Sequence, residues 1–352
     1  MKIVWICISI FCLFSTLMPF VNNNHWTIRM FDFPHAQVTA LTLGCLLAFA
    51  FFFTGEDTFS IILAGVLLLT FIYQSTVVYR YTPLKSVESL PTDKSDPSNE
   101  ISLLSANVLM SNRESANLIA QIKEEDPDIV ILLEVDEWWI EQVDFLKQDY
   151  PYHIEKPIDN LYGMAVYSRL EWQNPAVKYI IEDDIPSLET KVVLSSGKIV
   201  DLYVVHPQPP SPVGNEESTE RDAELLIVGK KVKELQRPAI VIGDLNDVAW
   251  SHSTRLFQKI SGLLDPRIGR GFYNTFHADY PFLRWPLDHV FHSEHFKLSQ
   301  IKCLDHINSD HFPIYVQLQY AKEAKHEQTA PTATAEEKKE AKKKIQEGKN
   351  KH

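Results

Sequence analysis

Short apolar runs that hand over to polar motifs constrain this chain more than any other feature. Ile101 to Ala106 runs into Asn107, Ile129 to Leu133 into Glu134, Ile199 to Val205 into His206-Pro207, and Ala239 to Ile242 into Gly243-Asp244-Leu245-Asn246. A fifth motif, Ser309-Asp310-His311, leads into the run Ile314 to Leu318. Apolar runs of about four to eight residues bounded by turn signals read as buried strands. The motifs therefore fall where strands meet loops. A rigid sheet can bring such strand ends to one point although the outer motifs lie about 200 residues apart.

The composition of the 352 residues is uneven. Before Tyr79 three windows carry no charge, Val4 to Val21, Val38 to Thr54 and Ser60 to Val78. A spanning helix needs about 20 apolar residues, with about 17 near the lower limit, so each window suffices to cross a bilayer. Lys2 followed by an apolar stretch also fits a signal peptide, but no small-x-small cleavage site follows and two more windows come after it. A buried core helix is the alternative for the other two, against which stands their apolarity on all faces. Orientation has two readings. Counting Lys2, Arg29, then Arg80, Lys85 and Lys94 places the rest of the chain inside. A signal-like first span with its amino terminus inside, and three crossings in all, places it outside, and the reading adopted is an integral protein of a bacterial inner membrane with an extracytoplasmic domain. Cys7, Cys12 and Cys45 fall in the apolar windows and Cys303 stands alone, so no disulfide framework is expected.

The expected organisation is a membrane region at 1–79, a linker at 80–100 punctuated by Pro83, Pro91 and Pro97, a folded domain at 101–320 and a tail at 321–352. The tail holds nine Lys against six Glu and almost no large apolar residue, so it is expected to be disordered or loosely helical. Its net of +3 leaves −15 for the remainder of a chain whose total is −12. A domain that acidic gains little from attraction to phosphate backbones.

Between linker and tail, Ser111 to Glu125 is an amphipathic helix with Leu118, Ile119 and Ile122 on one face, and Glu217 to Leu235 is a second helix. Gly163 to Tyr167, Lys178 to Ile181 and Leu287 to Phe291 read as further strands, and Val192 to Leu194 with Ile199 to Val205 as a hairpin across Ser196-Gly197. Strands outnumber helices and some must pair antiparallel. The fold class expected is α/β, mixed sheets covered by helices.

Taken singly, the polar residues admit plain readings beside functional ones. Glu134 is either a solvated strand end or an oxygen ligand for a hard divalent cation. Asn107 is an Asx turn or a site amide. Gly243 permits a sharp turn after Ile242, and on an extended segment Asp244 and Asn246 would point the same way, an acid and an amide suited to a phosphoryl group. Asp247 reads as a helix cap. His206, on a loop stiffened by Pro207, Pro209 and Pro210, is structural or a phosphate contact. Asp288 is disfavoured inside a strand unless partnered, and a carboxylate that orients an imidazole is a device of general bases, which makes His311 its candidate partner. His289 would face away from Asp288 and reads as structural.

Ser105-Ala106-Asn107, Leu133-Glu134, Gly243-Asp244-Leu245-Asn246, Leu287-Asp288-His289-Val290 and Ser309-Asp310-His311-Phe312-Pro313 occur in the order found in the endonuclease/exonuclease/phosphatase superfamily, which the chain resembles over roughly residues 100–320. The three apolar windows and Asp265-Pro266-Arg267-Ile268-Gly269-Arg270-Gly271 further resemble a bacterial membrane-attached branch of it. The resemblance implies a DNase I-like four-layer sandwich of two mixed sheets between helices, and a Mg²⁺ or Mn²⁺ site. It implies Glu134 as principal metal ligand with Asn107 and Asp310 near it, and His311 paired with Asp288 to activate water or balance charge. Asp244, Asn246 and His206 would hold the scissile phosphate, and Tyr162 aligns with a substrate-side segment. Whether Asp244 or His311 takes the proton is left open.

Two function classes follow. One is a membrane-anchored, metal-dependent phosphodiesterase or phosphatase acting on a lipid head group, a small phosphodiester or nucleic acid, with membrane lipid as its surroundings and no protein partner inferred. The other is a binding or scaffold protein with a relic site, against which stands the complete polar set. Within the enzyme class, the acidic surface favours a lipid head group or small phosphoester, and nuclease activity is the alternative.

Overall fold

The computed structural model describes residues 2–52 and 58–351. The end of the second apolar window and the loop residues Gly55, Glu56 and Asp57 lie outside the described residues. The chain divides into two compact units, one of Met1–Ser86, Pro210–Glu217 and Ile268–Gly271, the other of Val87–Pro209, Ser218–Arg267 and Phe272–His352.

In the smaller unit the helices are α1 (Lys2–Leu17), α2 (Trp26–Arg29), α3 (His35–Phe52) and α4 (Thr58–Tyr79). Pro19 closes the first and Pro34 precedes the third, as proline's missing donor dictates. Cys45, Phe49, Leu63 and Leu67 pack together, and Gln74 ties three helices by donating to Thr16 Oγ1 at 2.8 Å while its carbonyl meets His35 Nδ1. Among the described residues two helices are long and apolar enough to cross a membrane, Lys2–Phe20 and Thr58–Tyr79. A third span is reached only if Trp26–Asp32 and His35–Phe51, bent by 68° at their break, count as one. The expectation of three spans is therefore met by two helices, and by a third only through that bent pair.

The larger unit holds two mixed sheets. The strands are β1 (Glu100–Asn107), β2 (Ile129–Leu133), β3 (Tyr152–Lys156), β4 (Met164–Ser168), β5 (Glu171–Lys178), β6 (Ser187–Val193), β7 (Ile199–Val204), β8 (Ala239–Asp244), β9 (Asp288–His292), β10 (Phe296–Cys303) and β11 (Ile314–Tyr320). Six of them run in the order β10-β11-β1-β2-β4-β3 and five in the order β5-β6-β7-β8-β9. Each sheet has one parallel pair, β1 with β2 and β7 with β8, and the remaining pairs are antiparallel.

Alternation sets the layers. Ile101, Leu103, Ile129, Ile131, Val200, Leu202, Ile240, Ile242 and Val290 share one core between the sheets. Leu104, Ala106, Val130 and Leu132 face α5 (Ala116–Glu125) and α6 (Glu137–Val143), while Tyr203, Val241 and Phe291 face α8 (Thr219–Leu235) and α9 (His252–Ser261). A short helix, α7 (Leu146–Asp149), closes the first helical layer. The result is helix, sheet, sheet, helix. Truncating a central residue such as Leu202 to Ala should cost about 2–5 kcal/mol.

Three elements depart from the sequence expectation. Lys178 to Ile181 is not a strand; the strand is β5, an edge whose register shifts between Gln173 and Ala176 around Pro175, so its apolar period is broken. Helix α5 starts only at Ala116, because ahead of it the Glu114 amide donates to Asn112 Oδ1 at 2.9 Å and the chain from Asn112 to Ser115 is irregular. The tail is not disordered. After α10 (Ala324–Glu327), α11 (Ala335–Lys349) starts at a complete Thr334/Glu337 capping box and packs Ala341 and Ile345 on Leu226 and Leu256. A lysine-rich composition hid that small apolar face.

Candidate active site

Four of the polar residues extend the inter-sheet rows of their strands. Asn107 continues the row of Ile101 and Leu103, His206 that of Val200, Leu202 and Val204, and Asp244 that of Ile240 and Ile242, while Asp288 precedes Val290. Their side chains meet at one rim. Asp244 Oδ2 accepts from Asn107 Nδ2 at 3.2 Å and lies 3.6 Å from His311 Nε2 and 3.9 Å from His206 Nε2.

Glu134 reaches this point by another route. Alternation would send it with Val130 and Leu132 to the helix-covered side, but its backbone is left-handed, φ +63°, and Glu134 Oε1 accepts from Asn107 Nδ2 at 2.7 Å. Such a conformation is unfavourable for a non-glycine residue and marks a constrained position. Asn107 combines both of its readings. Its Oδ1 accepts from the Leu109 amide at 3.1 Å in a turn while its Nδ2 serves the two carboxylates.

His311 is fixed by its own loop and by Asp288. Ser309 Oγ donates to the Asn107 carbonyl at 2.8 Å and accepts from the His311 amide at 3.0 Å. His311 Nδ1 lies 2.8 Å from Asp288 Oδ2, and the Phe276 ring sits 4.9 Å from the imidazole. The Asp288 amide donates to Thr275 Oγ1 at 3.1 Å. Burial alone would favour the neutral ring, but the Asp288 and Asp244 carboxylates outweigh it and push His311 up to about 10. Burial raises the Asp288 carboxyl against the pull of His311, and raises Glu134 against His206 and the Asn107 amide.

Asp310 is half-buried, with Oδ1 3.4 Å from Ser309 Oγ. Its charge acts on His311, but no hydrogen bond joins it to Glu134 or Asn107 among the described residues. The Tyr162 ring lies 5.3 Å from the His206 ring, and burial raises its phenol, whose hydroxyl meets Gln208. Asn246 departs from expectation. Its amide is drawn back to Asp244 Oδ1 at 2.8 Å, its φ is +52°, and its Nδ2 donates to the Pro207 carbonyl at 3.1 Å, so the segment is an Asx turn, not extended. Asp247 is not the helix cap. Ser251 caps α9, and Asp247 lies beneath it, accepting from Ser251 Oγ at 2.6 Å and facing Arg221 at 3.0 Å.

Gly243 is required at its place: a Cβ there would come within 2.0 Å of the Val205 carbonyl oxygen, and φ is +144°. His289 faces away from the site as expected, with Nε2 2.8 Å from the Asp247 carbonyl and Nδ1 2.7 Å from Arg267 Nη2. Arg221, Thr275 and Phe276 escaped the sequence reading. Glu220-Arg221-Asp222 looks like an exposed charged turn, and no apolar run ends on Thr275-Phe276.

The donors suit a hard divalent cation. Ligand atoms of Asp244, Asp288 and His311 lie within 4.8 Å of one another, the one such group found among the described residues. Carboxylates outnumber nearby cations, and the raised Glu134 is an undercompensated, half-buried acid that such a cation would relieve. Asp288 Oδ1 and His206 Nδ1 are buried without a hydrogen-bond partner among the described residues.

Known structures share this fold. D. rerio TDP2 complexed with a single-strand DNA product superposes with a TM-score of 0.53 at 17% identity, over 62% of this chain and 99% of that one. The human Nocturnin catalytic domain with bound sulfate gives 0.52 at 17% identity over 67% and 98%, and an endonuclease/exonuclease/phosphatase family protein from Bacteroides thetaiotaomicron gives 0.50 at 19% over 64% and 96%. No curated protein matches the sequence. The sequence model of the Endonuclease/Exonuclease/phosphatase family matches residues 104–311, more than half of the chain and every site residue named above. The chain belongs to that family of metal-dependent phosphoester hydrolases.

Proposed function

We propose that this protein is a membrane-anchored phosphoesterase that hydrolyses a phosphodiester or phosphomonoester at the Asp244 rim. The convergence of Asn107, His206 and His311 on Asp244 Oδ2 carries this reading. Glu134, Asn107 and Asp310 are assigned to hold Mg²⁺ or Mn²⁺, which when bound supplies positive charge to the phosphoryl oxygens. Asp288 orients His311 and stabilises its charged form. The Asp288 carboxylate 2.8 Å from Nδ1 favours the charged ring, so we assign the proton of the attacking water to Asp244 and the balancing of the developing charge to His311. His206 and Asn246, whose Nδ2 keeps a second hydrogen after serving Pro207, donate to the phosphate, with Tyr162 lining the substrate side.

A lipid head group or small phosphodiester is the favoured substrate class. Beside His311, residues 276–285 form a hairpin closed by Phe276 and Trp285 that leaves Tyr280, Phe282 and Leu283 exposed, Phe282 at 88%. An exposed apolar tip at the rim suits an apolar substrate or lipid surface. Nucleic acid is the second reading, favoured by the fold shared with the DNA-bound TDP2. We place residues 1–79 in a bacterial inner membrane and the 101–320 domain on its extracytoplasmic side.

Purified full-length protein should be assayed on bis(p-nitrophenyl) phosphate, phospholipid vesicles and single-stranded DNA, with and without Mg²⁺. Magnesium-dependent cleavage with lipid preferred over DNA is expected; no cleavage of any phosphoester with Mg²⁺ or Mn²⁺ overturns the reading. Protease added to spheroplasts should cut the 80–100 linker and release the domain, and protection until lysis would place it in the cytoplasm.

A further inference from the structure

The docked C-terminal helix reaches the site through buried charges. Lys344 Nζ donates to Asp222 Oδ2 at 2.8 Å, an oxygen that also accepts from Ser253 Oγ at 2.6 Å. Asp222 Oδ1 accepts from Arg221 Nη2 at 3.0 Å, and the same guanidinium faces Asp247 Oδ2 at 3.0 Å and donates through Nη1 to the Asn246 carbonyl at 2.7 Å. All four charged side chains are buried, Arg221 and Asp222 to within 1%.

Within this set of contacts the helix supplies one of the two cations that face Asp222 and Asp247. Arg221 serves two carboxylates, Asp222 and Asp247, and Lys344 supplies the second cation. Burial raises both acids, yet Lys344 and Arg221 together hold Asp222 well below the usual range while Asp247 stays above it. Without Lys344, Asp222 becomes a buried, half-compensated carboxylate that competes with Asp247 and the Asn246 carbonyl for Arg221. The fit of α11 is specific, because a Cβ on Gly348 would come within 2.3 Å of Ala223 Cβ on α8.

We propose that α11 is a strap that positions the Asp244–Asp247 turn, with Lys344 and Arg221 as positioning residues acting through Asp222. The proposal rests on the reading of that turn as catalytic. Nothing in the tail's lysine-rich sequence singles out Lys344 for burial.

The test uses the full-length protein with bis(p-nitrophenyl) phosphate and Mg²⁺, below the melting temperature of every variant. Lys344→Met and Gly348→Val undock α11 by unrelated means, one by charge and one by a steric clash. Each should lower kcat about 10-fold with KM within about twofold, and Lys344→Arg should recover most of the loss. Amide hydrogen exchange over Leu245 to Ala249 should accelerate in both undocking variants and not in Lys344→Arg. Full kcat in both variants, or losses confined to melting temperature, overturns the strap. If the unmodified protein hydrolyses no phosphoester, the functional reading fails separately, and unchanged exchange over Leu245 to Ala249 then overturns the strap by itself.

Discussion

The parallel pairs β1–β2 and β7–β8 deliver side chains to the same rim by different means. In β7–β8, His206 and Asp244 arrive by plain alternation, each two residues beyond an inter-sheet core residue, with Gly243 letting the β8 backbone pass Val205. In β1–β2, Asn107 arrives by alternation, but Glu134 arrives only because its backbone inverts at φ +63°. The β1–β2 pair thus holds a strained, undercompensated acid. The sheet of β7–β8 holds acids already paired with imidazoles. On the reading proposed above, metal holding centres on Glu134, the Asp244 carboxylate adds its charge to that site across the shared Asn107 Nδ2, and Asp244 and His311 handle the proton and the developing charge.

The largest expected effect probes the strained acid. Glu134→Gln keeps the shape and removes the ligand charge, and should lower kcat/KM by at least about 10³-fold with the fold intact, since a bound cation is worth several kcal/mol of charge stabilisation. Unchanged Mg²⁺ dependence in that variant would take Glu134 out of the site.

At the imidazole–carboxylate pair, His311→Ala and Asp288→Ala should each cost about 10²- to 10⁴-fold, and the double variant little more than His311→Ala, because groups acting as one unit are not additive. His206→Ala should combine nearly multiplicatively with either. Multiplicative losses for His311 with Asp288 would show that they act separately.

Gly243→Ala should destabilise the domain by about 3 kcal/mol, from a forbidden φ and the approach to Val205. Chemical denaturation measures it. Gly197→Ala, at a hairpin turn with φ +83° and open space around it, should cost less, and equal costs would remove the packing argument.

The smallest effects are in pH. Folding raises the Glu134 pKa from its ordinary 4.5, so its contribution is present below about that pH and is lost as pH rises through the folded value. In metal-free protein at pH 8, Glu134→Gln should therefore melt a few degrees above the parent, and the gain should shrink when Mg²⁺ is added. Folding also raises His311 from 6.5 to about 10, so its stabilisation is full below about 6.5 and is lost as pH rises toward 10. Asp288→Asn should flatten that slope in thermal melts without metal.

Much of this was legible in the sequence because the inter-sheet rows have a period of two. Val200, Leu202, Val204 and then His206, or Ile240, Ile242 and then Asp244, can be counted directly, and the same count separates Asp288 from His289. What could not be counted was the inversion at Glu134, the Asx turn that redirects Asn246, and the edge strands β3, β5 and β10, whose half-exposed faces blur the pattern. Arg221 and Lys344 were hidden for another reason. A buried charge and a solvated one are the same letter, and only tertiary structure supplies the partner.

The central claim is that the two strand pairs build one metal-dependent centre. Mn²⁺ binding to the full-length protein, followed by electron paramagnetic resonance, tests it when Glu134→Gln on β2 and Asp244→Asn on β8 are titrated beside the parent. One binding event weakened by both substitutions is the result predicted. Binding that survives both unchanged, or two events each sensitive to only one substitution, would contradict it.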